Sequence, residues 1–274
     1  MVFKSREHEI EFWKQLQRNF TRLEISTSVI IQGPLNERIK RAAPHYLELI
    51  KKRKYKNYGN LIISYWDGDD ESILSDLKKE DAVTLVKNNR KSVPKSITKR
   101  GSRGASPWIL QNYTTLEGLK KSTGYKSIKV RSDEIYPNLE KLAKILDKTM
   151  DDTPKKFITS DIFFRKDDHE KFHPSDHIIA GRTDRLKRGF QRAVVACCTK
   201  LGLRNKFPEQ LICRSLLEGN DIQPVDYKSK KIMQENFEIV PIETMENSIW
   251  TCSYRKYDEL RSPEIGWVKN IKEI

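Results

Sequence analysis

The sequence predicts an α/β protein built on one mostly parallel sheet with helices on both faces. Three observations predict it. Short apolar runs rich in Val and Ile alternate with amphipathic stretches over the first half of the chain, the pattern of repeated strand–helix units. The strand candidates are compact and apolar, as strands covered on both sides are. Each run also stops abruptly at Gly, Pro, Asp or a charged residue, where the loops of such a sheet begin.

Residues 4–24 predict an amphipathic helix, with Ile10, Trp13, Leu16, Phe20 and Leu23 at helical spacing. STSVIIQGP predicts a buried strand ended by Gly33 and Pro34. A helix over about 37–54 follows, with Tyr46, Leu47 and Ile50 on one face. NLIISYWDG is a second buried strand ended by Asp67-Gly68, and the acidic DDES suits the positive end of a helix over 69–79. DAVTLVKN is a third strand. The segment 87–107, KNNRKSVPKSITKRGSRGASP, is basic, poor in apolar residues and expected to be mobile. A helix over about 107–122 leads to a fourth strand, KSIKVRSDE, and Pro137 opens a helix to 149. KFITSDIFF is a fifth strand and DHIIAG a sixth; helices follow in GFQRAVVACCTKLGL and PEQLICRSLLEG. Beyond 221, FEIVPI and SIWTCSY are strand-like, and no linker separates them. The expected organisation is a helix over 1–26, a principal domain over 27–220, and an extension over 221–274 packed on it.

With 274 residues the chain is long enough for one sizeable core. Its apolar fraction of 37% is globular, and no apolar run approaches the ~20 residues of a membrane span. The charged N-terminus MVFKSREHEIEFWKQL does not fit a signal peptide, so the expected location is cytoplasmic. Cys197, Cys198, Cys213 and Cys252 form no C-x-x-C pair and predict free thiols rather than a zinc site. The net charge of +14 attracts phosphates, whether of a nucleotide, a nucleic acid or an anionic lipid surface with which the protein would make peripheral contact. Aromatic residues do not interleave with the basic run 87–103, which argues against a single-strand nucleic-acid platform. G-x-G-x-x-G after the first strand, G-x-x-x-x-G-K-[ST] and G-x-S-x-G are all absent, excluding the common dinucleotide, P-loop and hydrolase signatures.

Ligands of such sheets bind at the carboxyl ends of the strands. Those ends are Gln32-Gly33-Pro34, Trp66-Asp67-Gly68, Lys87-Asn88, Arg131-Ser132-Asp133-Glu134 and Asp161. Asp133, helped by Glu134, can hold a divalent metal on a diphosphate, since Mg2+ and Mn2+ favour carboxylate and phosphate oxygens together. Equally, it can pair with Arg131 or cap the next helix. Asp67 can accept from a nucleobase or a ribose hydroxyl, or belong to a plain Asp-Gly turn. FHPSDHIIAG brings together His173, Asp176 and His177; the histidines match no metal spacing, and Asp176 can orient one of them or bind an acceptor hydroxyl. In PEQLI, Glu209 falls in a first helical turn, where it should stay ionised and can act as a general base, or simply favour the helix.

The order and spacing of SVIIQGP, NLIISYWDG, QNYTTLEGLKKSTGYKSIKVRSDE, FHPSDHIIAG and PEQLI over residues 27–215 resemble the WavE-type lipopolysaccharide synthesis proteins. The resemblance implies a glycosyltransferase-A-like fold that transfers a sugar from a nucleotide-sugar donor to a glycan or lipid-linked acceptor hydroxyl. In that fold a nucleotide-binding half of parallel strands ends in an Asp-x-Asp type motif; the matching stretch is Arg131-Ser132-Asp133, so the first acidic position is Arg131. The resemblance places Mn2+ or Mg2+ on Asp133, the nucleoside near Gln32, Gly33 and Asp67, the donor pocket along Arg103 and Gln111, and an acceptor-side base at Glu209. Arg131 in place of an acid can itself neutralise phosphate charge. Asp176 or Glu209 would deprotonate the acceptor, and the sequence leaves inversion and retention open. A nucleotidyl- or phosphotransferase on a similar sheet, which would release pyrophosphate or a nucleoside monophosphate, is the competing enzyme; a basic nucleic-acid-binding protein is the non-enzymatic alternative.

Overall fold

The computed structural model describes residues 26–52, 59–98, 106–152, 156–162, 164–245 and 271–273, with scattered positions between 5 and 15. The described positions among 7–15 are helical; the remainder of the expected N-terminal helix, Arg103, Cys252 and the SIWTCSY stretch lie outside the described residues. The elements run β1 (Thr27–Gln32), α1 (Glu37–Lys52), β2 (Leu61–Trp66), β3 (Val83–Asn88), α2 (Pro107–Lys120), β4 (Lys126–Arg131) and α3 (Leu139–Asp152). They continue with β5 (Phe157–Ser160), β6 (Ile178–Arg182), α4 (Thr183–Cys197), α5 (Pro208–Glu218), α6 (Ser229–Asn236) and β7 (Phe237–Val240).

The strands form one 7-stranded sheet in the order β3-β2-β1-β4-β6-β5-β7. Every pairing is parallel except those of β6, which runs antiparallel to both β4 and β5. Among its described residues the connection from β5 to β6 holds no helix. Without a crossover helix the chain simply turns back, and the new strand enters in the opposite sense. β7, from the expected C-terminal extension, pairs with β5 and belongs to the same sheet.

Full burial of both strand faces explains the apolar runs. Val29, Ile31, Leu61, Ile63, Ile128 and Val130 face one layer, where they meet Ile39 and Tyr46 of α1 and Leu142 and Leu146 of α3. Ile30 and Ile62 face the other, with Leu116 and Leu119 of α2, Leu186 and Phe190 of α4, and Leu216 of α5. The expected mostly parallel sheet with helices on both faces is therefore present. One expected element takes another form. Residues 69–79 make two short 3₁₀ turns, Glu71–Leu74 and Leu77–Lys79, rather than a helix. Asp70 caps the first by accepting from the Ser72 N–H at 3.0 Å, and the apolar positions suffice only to bury Ile73, Leu74 and Leu77. The described start of the basic segment is also fastened: Arg90–Ser92 form a 3₁₀ turn, and the Ile97 N–H donates to the Cys197 carbonyl at the end of α4.

Helix α2 lies close against β1 and β2. A Cβ added at Gly118 would stand 2.7 Å from Ile30 Cγ2 and 3.3 Å from Ser64 Cβ. Gly118→Val is expected to destabilise the protein by about 1–3 kcal/mol, the usual cost of overpacking a filled core. Thermal unfolding followed by circular dichroism reads this directly, and an unchanged melting temperature would refute the close approach. Among the described residues, no helix is long and apolar enough to cross a membrane. Cys197 and Cys213 are buried free thiols, and Cys198 is half-buried.

Candidate active site

Parallel register aligns the strand ends. Gln32 at the end of β1 lies beside Arg131 at the end of β4, and Trp66 at the end of β2 beside Asn88 at the end of β3. The chain then turns away on both sides of this point, leaving a cleft of about 500 Å³. Gln32, Gly33, Trp66, Arg90, Arg131, Ser132 and Asp133 line it from the sheet side, and Leu110, Gln111 and Thr114 line it from α2. Gly33 permits the floor of this cleft. Its φ of +127° suits glycine alone, and a Cβ there would meet Ser132 Oγ at 2.5 Å. Asn36 joins the same two loops by donating to the Ser132 carbonyl at 3.0 Å. Gln32 accepts from the Thr114 hydroxyl at 3.0 Å, tying β1 to α2.

The aromatic wall is Trp66. Tyr113 stacks with it at 6.4 Å between centroids, and the Arg90 guanidinium stands 5.3 Å from its ring centre. These two contacts fix the orientation of the buried indole in the cleft wall.

The cleft floor is charged. Arg131 donates from Nε and Nη2 to the two oxygens of Asp133 at 2.9 and 2.7 Å. Burial raises the Asp133 carboxyl, but the Arg131 hydrogen bonds and charge outweigh it and hold the group below the usual range. Behind this pair, the side chains of β4 that face α2 and α4 are polar instead of apolar. Lys129 is fully buried and donates to the Asp176 carbonyl. Burial pulls its ammonium down to about 8. Glu134 is buried; one oxygen takes the His177 Nδ1–H and the other accepts from Tyr136 Oη at 2.6 Å. Burial opposes its charge, yet His177 and Arg131 hold its carboxyl below the ordinary range.

Asp176 links this buried layer to the cleft. Its Oδ2 accepts from Gln111 Nε2, and Gln111 lines the cleft. Burial again opposes ionisation, but Lys129, His177 and Arg131 prevail and hold Asp176 far below the usual carboxylate range. Glu209, in the first turn of α5, behaves in the opposite way. Burial, then the negative charge of Asp176, pushes its carboxyl up to about 7. The expectation that the helix end would keep it ionised is thus corrected: desolvation exceeds the pull of the helix dipole. Glu209 Oε2 lies 3.7 Å from His173 Nε2. Burial and the nearby Arg165 hold that imidazole down at about 4. Asp176 Oδ1 and Glu209 Oε2 are buried without a hydrogen-bond partner among the described residues.

The structure thus brings together Gln32, Gly33, Gln111, Arg131, Ser132 and Asp133 in one cleft, with Asp176 directly behind Gln111. Asp67 stands apart. It is about half exposed, pairs with Lys87 at 3.2 Å, and does not line the cleft. The strand-end carboxylate that does structural duty is Asp69, which accepts from the Trp66 and Leu35 N–H groups at 3.1 and 3.0 Å. Trp66, Arg90, Asn36 and Thr114 escaped the sequence reading as site residues. Trp66 carried a signal as a large aromatic at a strand end, and Arg90 carried one as part of the basic segment 87–107.

A divalent metal does not fit the Asp133 position. Both oxygens of that carboxylate are engaged by Arg131. The cleft lining carries the guanidinium groups of Arg90 and Arg131 against the single carboxylate of Asp133. Among the described residues no three His, Cys, Asp or Glu side chains converge as ligands would, whereas Mg2+ and Mn2+ need several oxygens with a negative balance.

No known family model and no curated protein matches the chain. Parts of its arrangement occur in solved structures. It is similar to the galactosyltransferase LgtC in complex with donor and acceptor sugar analogs, at 10% identity over 69% of this chain and 70% of that one, with a TM-score of 0.45. It is similar to M. tuberculosis glucosyl-3-phosphoglycerate synthase at 12% identity over 88% and 79% of the two chains, TM-score 0.45. Against S. aureus TarS 1–349 the figures are 14%, 76% and 63%, with a TM-score of 0.38.

Proposed function

We propose that this chain is a glycosyltransferase of the glycosyltransferase-A type, which takes a sugar from a nucleotide-sugar donor and passes it to an acceptor hydroxyl of a glycan or lipid-linked saccharide. One observation carries the reading. A cleft at the carboxyl ends of parallel strands combines an aromatic wall, Trp66, with a cationic floor, Arg131, and backs through Gln111 onto the buried Asp176, whose charge reaches Glu209; each of these two acids has a buried oxygen without a hydrogen-bond partner among the described residues. Trp66 presents the part of its ring that lines the cleft to the nucleobase, and Arg90 and Arg131 meet the diphosphate. The opening oxygens of Asp176 and Glu209 suit a sugar hydroxyl, which satisfies buried acceptors and presents a proton to them. The ordered resemblance of the sequence segments to WavE-type proteins points the same way.

In this mechanism Glu209 is the general base. With a carboxyl at about 7 it is partly ionised at neutral pH and basic enough to accept the acceptor's proton. Asp176, held ionised, is the positioning group: it fixes Gln111 and raises the basicity of Glu209 by its charge. Gln32 and Thr114 hold the strand end and α2 at a fixed distance across the cleft.

The test is a thermal-shift panel of UDP, GDP, CDP and dTDP and their sugar conjugates, followed by analysis of the hydrolysis products of whichever conjugate binds. A ligand at one hundred times its Kd is expected to add about 2.7 kcal/mol of stability. Slow release of the nucleoside diphosphate and free sugar is expected. Release of a nucleoside monophosphate or pyrophosphate would instead assign the cleft to nucleotidyl or phosphoryl transfer, and no shift with any member of the panel would refute a nucleotide site.

A further inference from the structure

Resting on the glycosyltransferase reading, we propose that Arg131 is itself the cation that receives the donor's leaving diphosphate, with Asp133 as the positioning residue that aims it, so that transfer proceeds without a divalent metal. The strand-end position that resembles the first acid of an Asp-x-Asp motif holds a guanidinium, and the acid that remains is clamped to it through both oxygens. That geometry is a fork-to-fork pair, the arrangement that fixes a guanidinium plane most firmly. It uses only two of the five N–H donors of Arg131. The side chain is about one-third exposed and lines the cleft.

The surroundings of Arg131 support the role. Glu134 Oε1 stands 4.0 Å from its Nε, and Asp133 takes the same edge, so carboxylates hold the guanidinium from one side. Arg90 faces the cleft from the end of β3, adding a second guanidinium to the lining. Lys129 lies behind Asp176 and keeps that acid ionised without entering the lining. The lining therefore has a positive balance before any ligand arrives. A diphosphate satisfies such a site, whereas a metal ion alone is repelled by it.

The step balances without a further reactant. The bond between sugar C1 and the donor phosphate oxygen breaks, and its electron pair remains on the diphosphate, where Arg131 meets the charge. The bond from C1 to the acceptor oxygen forms, and the acceptor proton passes to Glu209. The products are the glycosylated acceptor and the nucleoside diphosphate.

Calorimetric titration of the full chain with the nucleoside diphosphate that gives the largest thermal shift tests the proposal, in buffer with EDTA and again with Mn2+. The wild-type Kd is expected to agree in the two buffers to within about twofold. Arg131→Gln should weaken binding about 10- to 100-fold in both, the size of a lost charge-assisted pair. Arg131→Lys should recover part of that loss as a point charge without the fork. Asp133→Asn should weaken binding by a smaller factor, and equally with EDTA and with Mn2+, whereas a metal-holding Asp133 would show its loss only in the Mn2+ buffer. Melting temperatures of the free variants show that each is folded. Wild-type binding that appears only with Mn2+, or Arg131→Gln binding as tightly as wild type, overturns the proposal while leaving the nucleotide site intact. Absence of binding in every buffer overturns the glycosyltransferase reading beneath it.

Discussion

Glu209→Gln is expected to abolish sugar transfer and, at the same time, to raise the melting temperature above pH 7. Both effects have one origin. Burial, reinforced by Asp176, lifts the Glu209 carboxyl from 4.5 to about 7. An unfolded chain releases that proton near 4.5, so between 4.5 and 7 the folded state binds more protons than the unfolded one. Stability then falls as pH rises through that window, and the full cost of an ionised buried carboxylate is present above pH 7. At 1.36 kcal/mol per pKa unit the cost has an upper bound of about 3 kcal/mol. The amide carries no charge and removes it. The gain should therefore be several degrees at pH 8 and shrink towards nothing near pH 5. Activity should move the other way, with kcat falling about 10²–10⁴-fold as a general base is lost. In the wild type, kcat/KM should rise with pH through about 7, because the base works only when ionised. Nucleotide affinity should be unchanged, since Glu209 does not line the donor cleft. Wild-type turnover in the amide variant, or a melting temperature that drops at pH 8, would remove Glu209 from the mechanism.

Much of this architecture is written locally in the chain, and the parts that are not share a cause. VIIQGP, LIISYWDG and IKVRSDE announce strands and their ends because full burial demands unbroken apolar runs, and the loop chemistry begins where the apolar residues stop. The Arg131–Asp133 contact is only two residues long, so it too was visible, as one of two readings of the same acid. The direction of β6 was not visible: DHIIAG is equally apolar whichever way it runs, and only the helix-free connection before it decides. Asp67 looked like a site residue because it ends a strand, but Lys87 from the neighbouring strand end draws it outward. The buried layer of Lys129, Glu134 and His177 brings residues from distant segments together, with Glu134 and His177 43 positions apart, and a local pattern carries no trace of that. Lys129 offered one overlooked hint. A lysine between Ile128 and Val130 in a strand covered on both faces needs an acceptor inside the protein, because burying an ammonium alone is prohibitive. The structure supplies it in the Asp176 carbonyl.

Glu134→Ala should be among the most destabilising single changes in the chain. The side chain is 2% exposed. It receives His177 Nδ1 and Tyr136 Oη, and Arg131 Nε stands 4.0 Å away. Alanine strips all three of their anion and leaves a void in a layer where water has no ready access. Removal of one partner from a buried charged pair typically costs about 3–5 kcal/mol. The Tyr136 backbone N–H donates to Tyr46 Oη at 3.0 Å, so displacement of Tyr136 also loosens α1 against β4. Glu134→Gln keeps the volume and one acceptor oxygen, and should cost less, about 1–3 kcal/mol. Urea unfolding at constant slope separates the two variants by their midpoints. The pH dependence gives an independent check. The native Glu134 carboxyl lies below its ordinary value of 4.5, so its contribution is complete above that pH and disappears as pH falls through the lower folded value. The glutamine variant should therefore lose less stability than wild type on acidification from pH 6 to pH 3. Equal acid sensitivity in the two would mean that the buried layer is held by packing alone, and that Arg131 keeps its orientation without the charge behind it.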